Sequence, residues 1–335
     1  MGTWPPWVHD GRRIYQPEQC HAMLDTPLAN RLRKNHRHLK KWARRTGVHA
    51  YRIYDHDLPE QPFAVDLYDD HVLAQEYERA VPLADADHAA WLKSVRATLC
   101  EVLETTDDNL LLKVRRRQSD GTQYEKLCDR RVELIVVEGG HRFAVNLSDH
   151  LDTGLFLDHR LTRAMVGALA SGKRFLNLFA YTASFTVYAA RGGAAATTSV
   201  DLSNTYLAWA ERNFALNAIG GTRHRLIRGD AREFLDAAGA RRERYDLIVI
   251  DPPTYSKSKM APSDFDVQRD HAELLAGACA LLDPGGTVVF STNFRKFRLD
   301  ADRLAGVAVR DITARTIPPD FRDARIHRCY LLSRP

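Results

Sequence analysis

Hydrophobic and polar positions follow two different rhythms along the chain. Between residues 27 and 150, short stretches of period-two alternation are interleaved with helical stripes. Leu28, Leu32, Leu39, Trp42 and Ala43 recur at helical spacing and predict a helix over 27–46. Strands are expected near 50–55, 63–68 and 71–77, a helix near 85–104, and further strands near 110–117, 132–138 and 142–147. From about residue 151 the rhythm becomes a regular alternation of strand and helix, as in a doubly wound sheet with parallel strands. Candidate strands cover 173–179 (KRFLNLF), 196–201, 223–230, 245–251 and 286–292, and 327–333 (HRCYLLS) reads as a last, antiparallel strand inserted near an edge. A helix over 203–218 has Ser203 as its N-cap and Gly220-Gly221 just past its end. The fold class expected is α/β, with an N-terminal extension (1–26), a smaller α+β subdomain (27–150) and a Rossmann-like domain (151–335).

Length and composition agree with that division. A chain of 335 residues favours two cores, or one core with a substantial addition, and 44% hydrophobic with 27% charged residues is the content of a soluble globular protein. No apolar run approaches the roughly 20 residues that span a bilayer, and the first residues lack a signal-peptide core, so a cytoplasmic location is expected. Cys20, Cys100, Cys128, Cys279 and Cys329 form no CxxC pair, and the fourteen histidines show no ligand spacing. Neither a metal nor a disulfide framework is therefore expected.

Charge changes the picture more. The net charge is +5, but Asn30–Arg52 alone carries nine Lys or Arg and no acid. On the predicted helix, Arg31, Arg33, Lys34, Arg37, Lys40 and Lys41 offer a cationic face suited to RNA phosphates, the alternative being a merely solvated face. Arg115, Arg116 and Arg117 make a second basic cluster, and Arg295 and Lys296 a third, interleaved with Phe294 and Phe297.

Three acids stand at the carboxyl ends of successive candidate strands: Asp201, Asp230 and Asp251. Ligands of open α/β sheets bind at those ends. A carboxylate after the second strand suits the hydroxyls of a ribose, and the next suits the exocyclic amine of adenine. The loop after the first strand, FAYTASFTV (179–187), is not GxGxxG, and the phosphate-cradling GxxxxGK[ST] pattern is absent. An adenosine cofactor without phosphate fits, and S-adenosylmethionine (SAM) is the common one.

The segments NRLRKNHRHLKKWA, HLDTGLFLDHR (150–160), FLNLFAYTASFTVYAA, TTSVDLSNTYLAWAERNFALN, DLIVIDPPTYSKSK and FDVQRDH together resemble the class I SAM-dependent methyltransferases. Within that class they are similar to the large-subunit rRNA methyltransferases of the RlmI and RlmK groups, from about Ala29 to near the C-terminus. The resemblance implies a seven-stranded methyltransferase sheet and a cofactor set of Asp158, Arg160, Asn177, Phe179, Tyr181, Thr182, Ala183, Ser184, Asp201, Leu202, Ser203, Asp230, Ala231 and Asp251. It implies a catalytic corner of Asp251, Pro252, Pro253, Thr254 and Tyr255, and an RNA role for Lys126. Implied partners are 23S rRNA or a large-subunit assembly intermediate, and a separate guanine-N2 methyltransferase, because the RlmK half is fused to such an enzyme in bifunctional relatives. One departure stands out: relatives read YTG where this chain has Tyr181-Thr182-Ala183, and a methyl there crowds the cofactor if the backbone needs φ > 0.

The acceptor follows from what is missing. Methyl transfer is an in-line displacement that asks mainly for alignment. A pyrimidine C5 must first be activated by a cysteine thiolate. In the RlmI-like cytosine enzymes that thiol follows the fifth strand, where Thr292 and Asn293 stand here. Guanine N7 has an in-plane lone pair and needs no activation. The expected activity is methylation of guanine N7 in 23S rRNA, with S-adenosylhomocysteine as product and Thr254 or Tyr255 meeting a flipped base. Methylation of another RNA base, or an RNA-binding assembly factor with weak transfer, are the alternatives.

Overall fold

In the computed structural model the described residues are 26–334 apart from 78, 80–82, 119–120, 127–130, 151 and 258–262. The expected N-terminal extension, Cys20, Cys128 and the end of the DPPTYSKSK stretch lie outside them, as do the side chains of 114–118 and 121–126.

The basic segment is helix α1 (Pro27–Thr46), and its ends are specified by its own residues. The Thr26 hydroxyl accepts from the Ala29 amide, Pro27 starts the first turn, and Gly47 closes the helix in the left-handed region with its N–H on the Ala43 carbonyl. Leu28, Ala29, Leu32, Leu39 and Ala43 are buried against a five-stranded sheet. That sheet has the order β1 (Ala50–Asp55), β2 (Phe63–Tyr68), β3 (His71–Glu76), β4 (Leu110–Gln118) and β5 (Gly121–Lys126). Helix α2 (Asp85–Leu103) makes the crossover that lets β4 run parallel to β3, whereas the other pairs are antiparallel. A hairpin of β6 (Glu133–Glu138) and β7 (His141–Asn146) follows.

The second sheet has seven strands in the order β10-β9-β8-β11-β14-β16-β15. Between α3 (Arg160–Leu169) and β11 the chain alternates as expected: β8 (Arg174–Leu178), α4 (Ser184–Arg191), β9 (Ala196–Asp201), α5 (Asn204–Leu216), β10 (His224–Arg228), α6 (Ala231–Ala240) and β11 (Tyr245–Ile250). A two-residue pairing of β12 (Tyr255–Ser256) with β13 (Phe265–Asp266) leads into α7 (Val267–Ala280) and β14 (Leu282–Thr292). The chain ends with β15 (Ala308–Asp311), the short α8 (Thr313–Thr316) and β16 (Arg328–Ser333). β8, β9, β10, β11 and β14 are parallel, and β16 lies antiparallel between β14 and β15, so the last strand is inserted next to an edge as its sequence suggests.

Helix α5 stops at Leu216, short of the glycines. The Asn217 side chain accepts from the Arg142 amide and donates to the Arg142 carbonyl, and this tertiary clamp on β7 ends the helix first. Among the described residues, no helix is long and apolar enough to cross a membrane.

Candidate cofactor and acceptor site

The carboxyl ends of β8, β9, β10 and β11 open on a cavity of about 610 Å3. Asp201, Asp230 and Asp251 all line it, together with Phe179, Tyr181, Leu202, Ser203, Ala231 and the Pro252–Tyr255 corner. Each acid is held by its surroundings. Asp201 accepts the Tyr181 and Ser203 amides at 2.8 Å each, so one carboxylate fastens the loop after β8 to the turn after β9. Burial pushes its carboxyl up, and the two amide bonds offset this only in part. Asp230 is the N-cap of α6, accepting from the Arg232 amide at 2.8 Å and the Glu233 amide at 3.3 Å. Asp251 accepts the Ser291 hydroxyl at 2.6 Å.

Behind that corner lies a buried charge network. Asp158 accepts from Asn293 at 3.2 Å and from His327 Nδ1 at 3.0 Å, and the other His327 nitrogen meets the Thr316 hydroxyl at 2.9 Å. His159 stacks on His327 with ring centroids 4.6 Å apart and stands 3.5 Å from Asp251 and 3.6 Å from Asp158. Burial alone would raise the Asp158 carboxyl, but His159, His327 and Arg163 outweigh it and hold it well below the usual carboxylate range. Both His327 nitrogens are engaged, by Asp158 and by Thr316, whereas neither buried His159 nitrogen has a hydrogen-bond partner among the described residues.

The expected cofactor residues therefore fall into two groups. Phe179, Tyr181, Asp201, Leu202, Ser203, Asp230, Ala231 and Asp251 line the cavity. Asp158, Arg160, Asn177, Thr182, Ala183 and Ser184 are buried and support the wall from behind. Arg160 donates to Asp320 at 2.8 Å and to the Ala50 carbonyl at 2.6 Å. Asn177 donates to the Thr186 hydroxyl, and Thr182 to the Gly154 carbonyl. Gly154 sits at φ 95°, where any side chain would collide with the Trp209 indole. Lining residues that the strand-end argument misses are Asp152, Phe156, Tyr206, Phe265 and Asn293. Asp152 and Phe156 belong to the HLDTGLFLDHR segment itself, so the signal was in a stretch already singled out.

Ala183 does adopt the left-handed region, at φ 57° and ψ 31°, and Phe179 and Tyr181, four and two residues earlier, have positive φ as well. Its methyl, however, is fully buried in the core beside Val187 and Phe214 and does not line the cavity. Ala183→Gly should leave SAM affinity within about twofold, because the removed atoms face the core. Relief of roughly 1–2 kcal/mol of left-handed strain, less about 0.8 kcal/mol for the lost buried methyl, gives a stability gain of up to about 1 kcal/mol. Calorimetry with SAM and urea unfolding check the two halves, and a SAM affinity improved tenfold or more would show that the methyl crowds the site after all.

The donor set decides which cofactor fits. The cavity lining contains four carboxylates, Asp152, Asp201, Asp230 and Asp251, and among the described residues no Lys, Arg or His. The three carboxylates at the strand ends, Asp201, Asp230 and Asp251, repel phosphates and suit a cofactor carrying a sulfonium and an ammonium.

The basic residues are arranged outside it. Lys34, Arg37, Lys40 and Lys41 are exposed along α1. Arg31 and Arg33 are half-buried, with Arg31 3.8 Å from Asp57 and Arg33 bonded to Asn30. Arg115, Arg116 and Arg117 are on β4 opposite Tyr124, Gln123 and Thr122, and Lys126 on β5 pairs with Lys113. Lys296 is exposed, and Arg295 pairs with Asp323 at 2.7 Å.

A family model described as S-adenosylmethionine-dependent methyltransferase matches residues 91–321. The chain is similar to the ribosomal RNA large subunit methyltransferase K of Neisseria meningitidis, 49% identical over 305 residues, which cover 91% of this chain and 86% of the relative. It is also similar to the ribosomal RNA large subunit methyltransferase K/L of Methylococcus capsulatus, 51% identical over 332 residues, 98% of this chain but 44% of the relative. It thus spans less than half the length of that K/L relative. Among solved structures, one from Streptococcus mutans, described as a SAM-dependent methyltransferase, is alike in fold, with a TM-score of 0.73 at 24% identity over 90% of this chain and 80% of that one.

Proposed function

Because the chain belongs to the S-adenosylmethionine-dependent methyltransferase family, we propose that it methylates N7 of a guanine in 23S rRNA or in a large-subunit assembly intermediate. The relatives at 49% and 51% identity, both ribosomal RNA large subunit methyltransferases, support the rRNA. The observation that carries the choice of N7 is a corner without an activating group. Among the described residues no cysteine lines the cavity. Burial, with the charge of Asp251 behind it, pushes the Cys329 thiol up to about 12, and burial pushes Cys279 up to about 11. Neither supplies the thiolate that a pyrimidine C5 requires.

When bound, SAM supplies an electrophilic methyl group. The chain's own residues then have only to place the acceptor. Asp201 would hold the ribose hydroxyls and Asp230 the adenine side, with Phe179, Leu202 and Phe265 as apolar walls. The Pro252-Pro253 backbone is rigid, and the Tyr255–Asp266 pairing and the Val267 amide on the Thr254 carbonyl pin the corner from below. An incoming base would meet Asp251, the exposed Thr254 and the exposed Tyr255 there. The exposed cations of α1 would hold the RNA backbone. A separate guanine-N2 methyltransferase as partner belongs to the same proposal.

The test is to map N7-methylguanosine in 23S rRNA by reduction and aniline cleavage, in the presence and absence of the gene. Loss of one cleavage site, restored by the purified protein and SAM, is the expected result. An unchanged cleavage pattern would overturn the assignment.

A further inference from the structure

We infer that Asp152 reads the Watson–Crick edge of the acceptor base, accepting from N1–H and N2–H2 of guanine together, with Phe156 as a stacking face beside it; this rests on guanine being the acceptor. Asp152 differs from the other three carboxylates of the cavity. Asp201 is bonded by two amides, Asp230 by the start of α6 and Asp251 by Ser291, but Asp152 has no hydrogen-bond or ion-pair partner among the described residues. It is half-buried, and burial pushes its carboxyl up against the opposing pull of Lys113. An unpaired carboxylate in that setting is built to meet a donor from outside the chain.

Its position selects the donor. Asp152 sits between His150, whose carbonyl accepts from Lys113 of β4 at 2.7 Å, and Thr153, whose hydroxyl meets Tyr68 of β2 at 3.0 Å. This is where the cavity wall joins the five-stranded sheet, on the strand that carries Arg115, Arg116 and Arg117. An acid at that junction repels phosphate and attracts N–H groups. Of the four RNA bases, guanine alone presents two adjacent donors on one edge, the pair a single carboxylate accepts in two-point fashion. N7 lies on the opposite edge of the purine, so this contact leaves it free to face the Asp251 corner. Phe156 is 40% exposed at the same wall, with its ring 5.2 Å from Tyr181, and offers a flat apolar face to a base taken out of its stack.

The experiment uses the full chain, a transcript of the mapped rRNA segment, and the same transcript with inosine at the acceptor position, which lacks the N2 amine. The wild type should methylate the inosine RNA with kcat/KM about 10–100-fold below the guanosine RNA, since one buried contact is lost. Asp152→Asn should lower kcat/KM on guanosine about 100-fold, leave the SAM Kd within about twofold, and abolish the preference over inosine. The unchanged SAM Kd doubles as proof that the variant folds. Phe156→Ala should raise KM for RNA about tenfold, again with SAM affinity retained. Should Asp152→Asn instead weaken SAM tenfold or more while keeping the guanosine preference, Asp152 belongs to the cofactor and the inference falls. Wild-type turnover on both RNAs by the variant would also overturn it. Failure of the N7 reading is seen separately, as absence of aniline cleavage in the guanosine transcript treated with the wild type.

Discussion

Asp201→Ala is expected to weaken SAM binding at least about 100-fold. A carboxylate that accepts from two ribose hydroxyls makes two charge-assisted bonds of about 1.5–3 kcal/mol each, and roughly 3 kcal/mol is already two decades of Kd. The same carboxylate also fastens the Tyr181 and Ser203 amides at 2.8 Å, so its loss frees the loop that walls the cofactor. Asp201→Asn separates the two contributions: it keeps one amide acceptor and removes the charge, and should fall between wild type and alanine. Titration calorimetry with SAM measures all three, and an alanine variant within about threefold of wild type would sink the ribose assignment. Burial raises the Asp201 carboxyl, so the charged form that would hold the ribose is the one burial disfavours. Affinity should therefore fall as pH drops through the Asp201 titration.

Glu138→Gln should cost about 3–5 kcal/mol of stability, the usual result of removing one partner from a buried ion pair. Glu138 is 2% exposed. It accepts two bonds from Arg163, at 2.8 and 3.0 Å, and one from the Tyr188 hydroxyl at 3.0 Å, and it lies 3.3 Å from Arg160. Glutamine keeps the shape and leaves the Arg163 guanidinium, itself 1% exposed, without the counter-charge it is hydrogen-bonded to. Burial would raise the Glu138 carboxyl, but Arg163, then Arg160 and Tyr188, more than reverse it, so its folded pKa lies below the ordinary value. A depressed carboxylate stabilises the fold fully above the ordinary glutamate range and loses that contribution as pH falls through the folded value. Urea unfolding at neutral pH should show the deficit, and the gap between variant and wild type should close on acidification. A neutral-pH difference below about 1 kcal/mol would mean that Arg163 finds another partner.

Much of the architecture was legible because local signals and tertiary packing agree. Thr26, Pro27 and Gly47 mark the ends of α1, and the buried stripe fixes its face. Val200, Ile248, Val249 and Val289 fill strands buried on both faces, and their runs announce parallel strands. Where the two disagree, the sequence misleads. β5 (GTQYEK) has no apolar alternation and is a strand because β4 pairs with it. β15 has one partly buried valine and is held by β16. In the site, Asp201, Asp230 and Asp251 could be found because strand ends are predictable. Asp152, Phe156 and Asn293 come from irregular segments whose positions depend on distant residues. The same limit explains Asp158 and Arg160: adjacent in sequence to the cavity wall, they turn inward to His327 and Asp320, from the far end of the chain.

That last connection sets an order of events during synthesis. Asp320 accepts from the Arg160 guanidinium and from the Arg52 amide on β1, a bond that closes across 268 residues. At about 5–20 residues per second, Arg52 precedes its partner on the ribosome by roughly ten seconds to a minute. The first sheet can assemble its own core in that interval, but the two bonds that Asp320 makes, to Arg52 and to Arg160, wait until residue 320 has been made. Throughout that interval the cationic helix is already capable of forming, while the Asp320 lock between the two sheets is still missing.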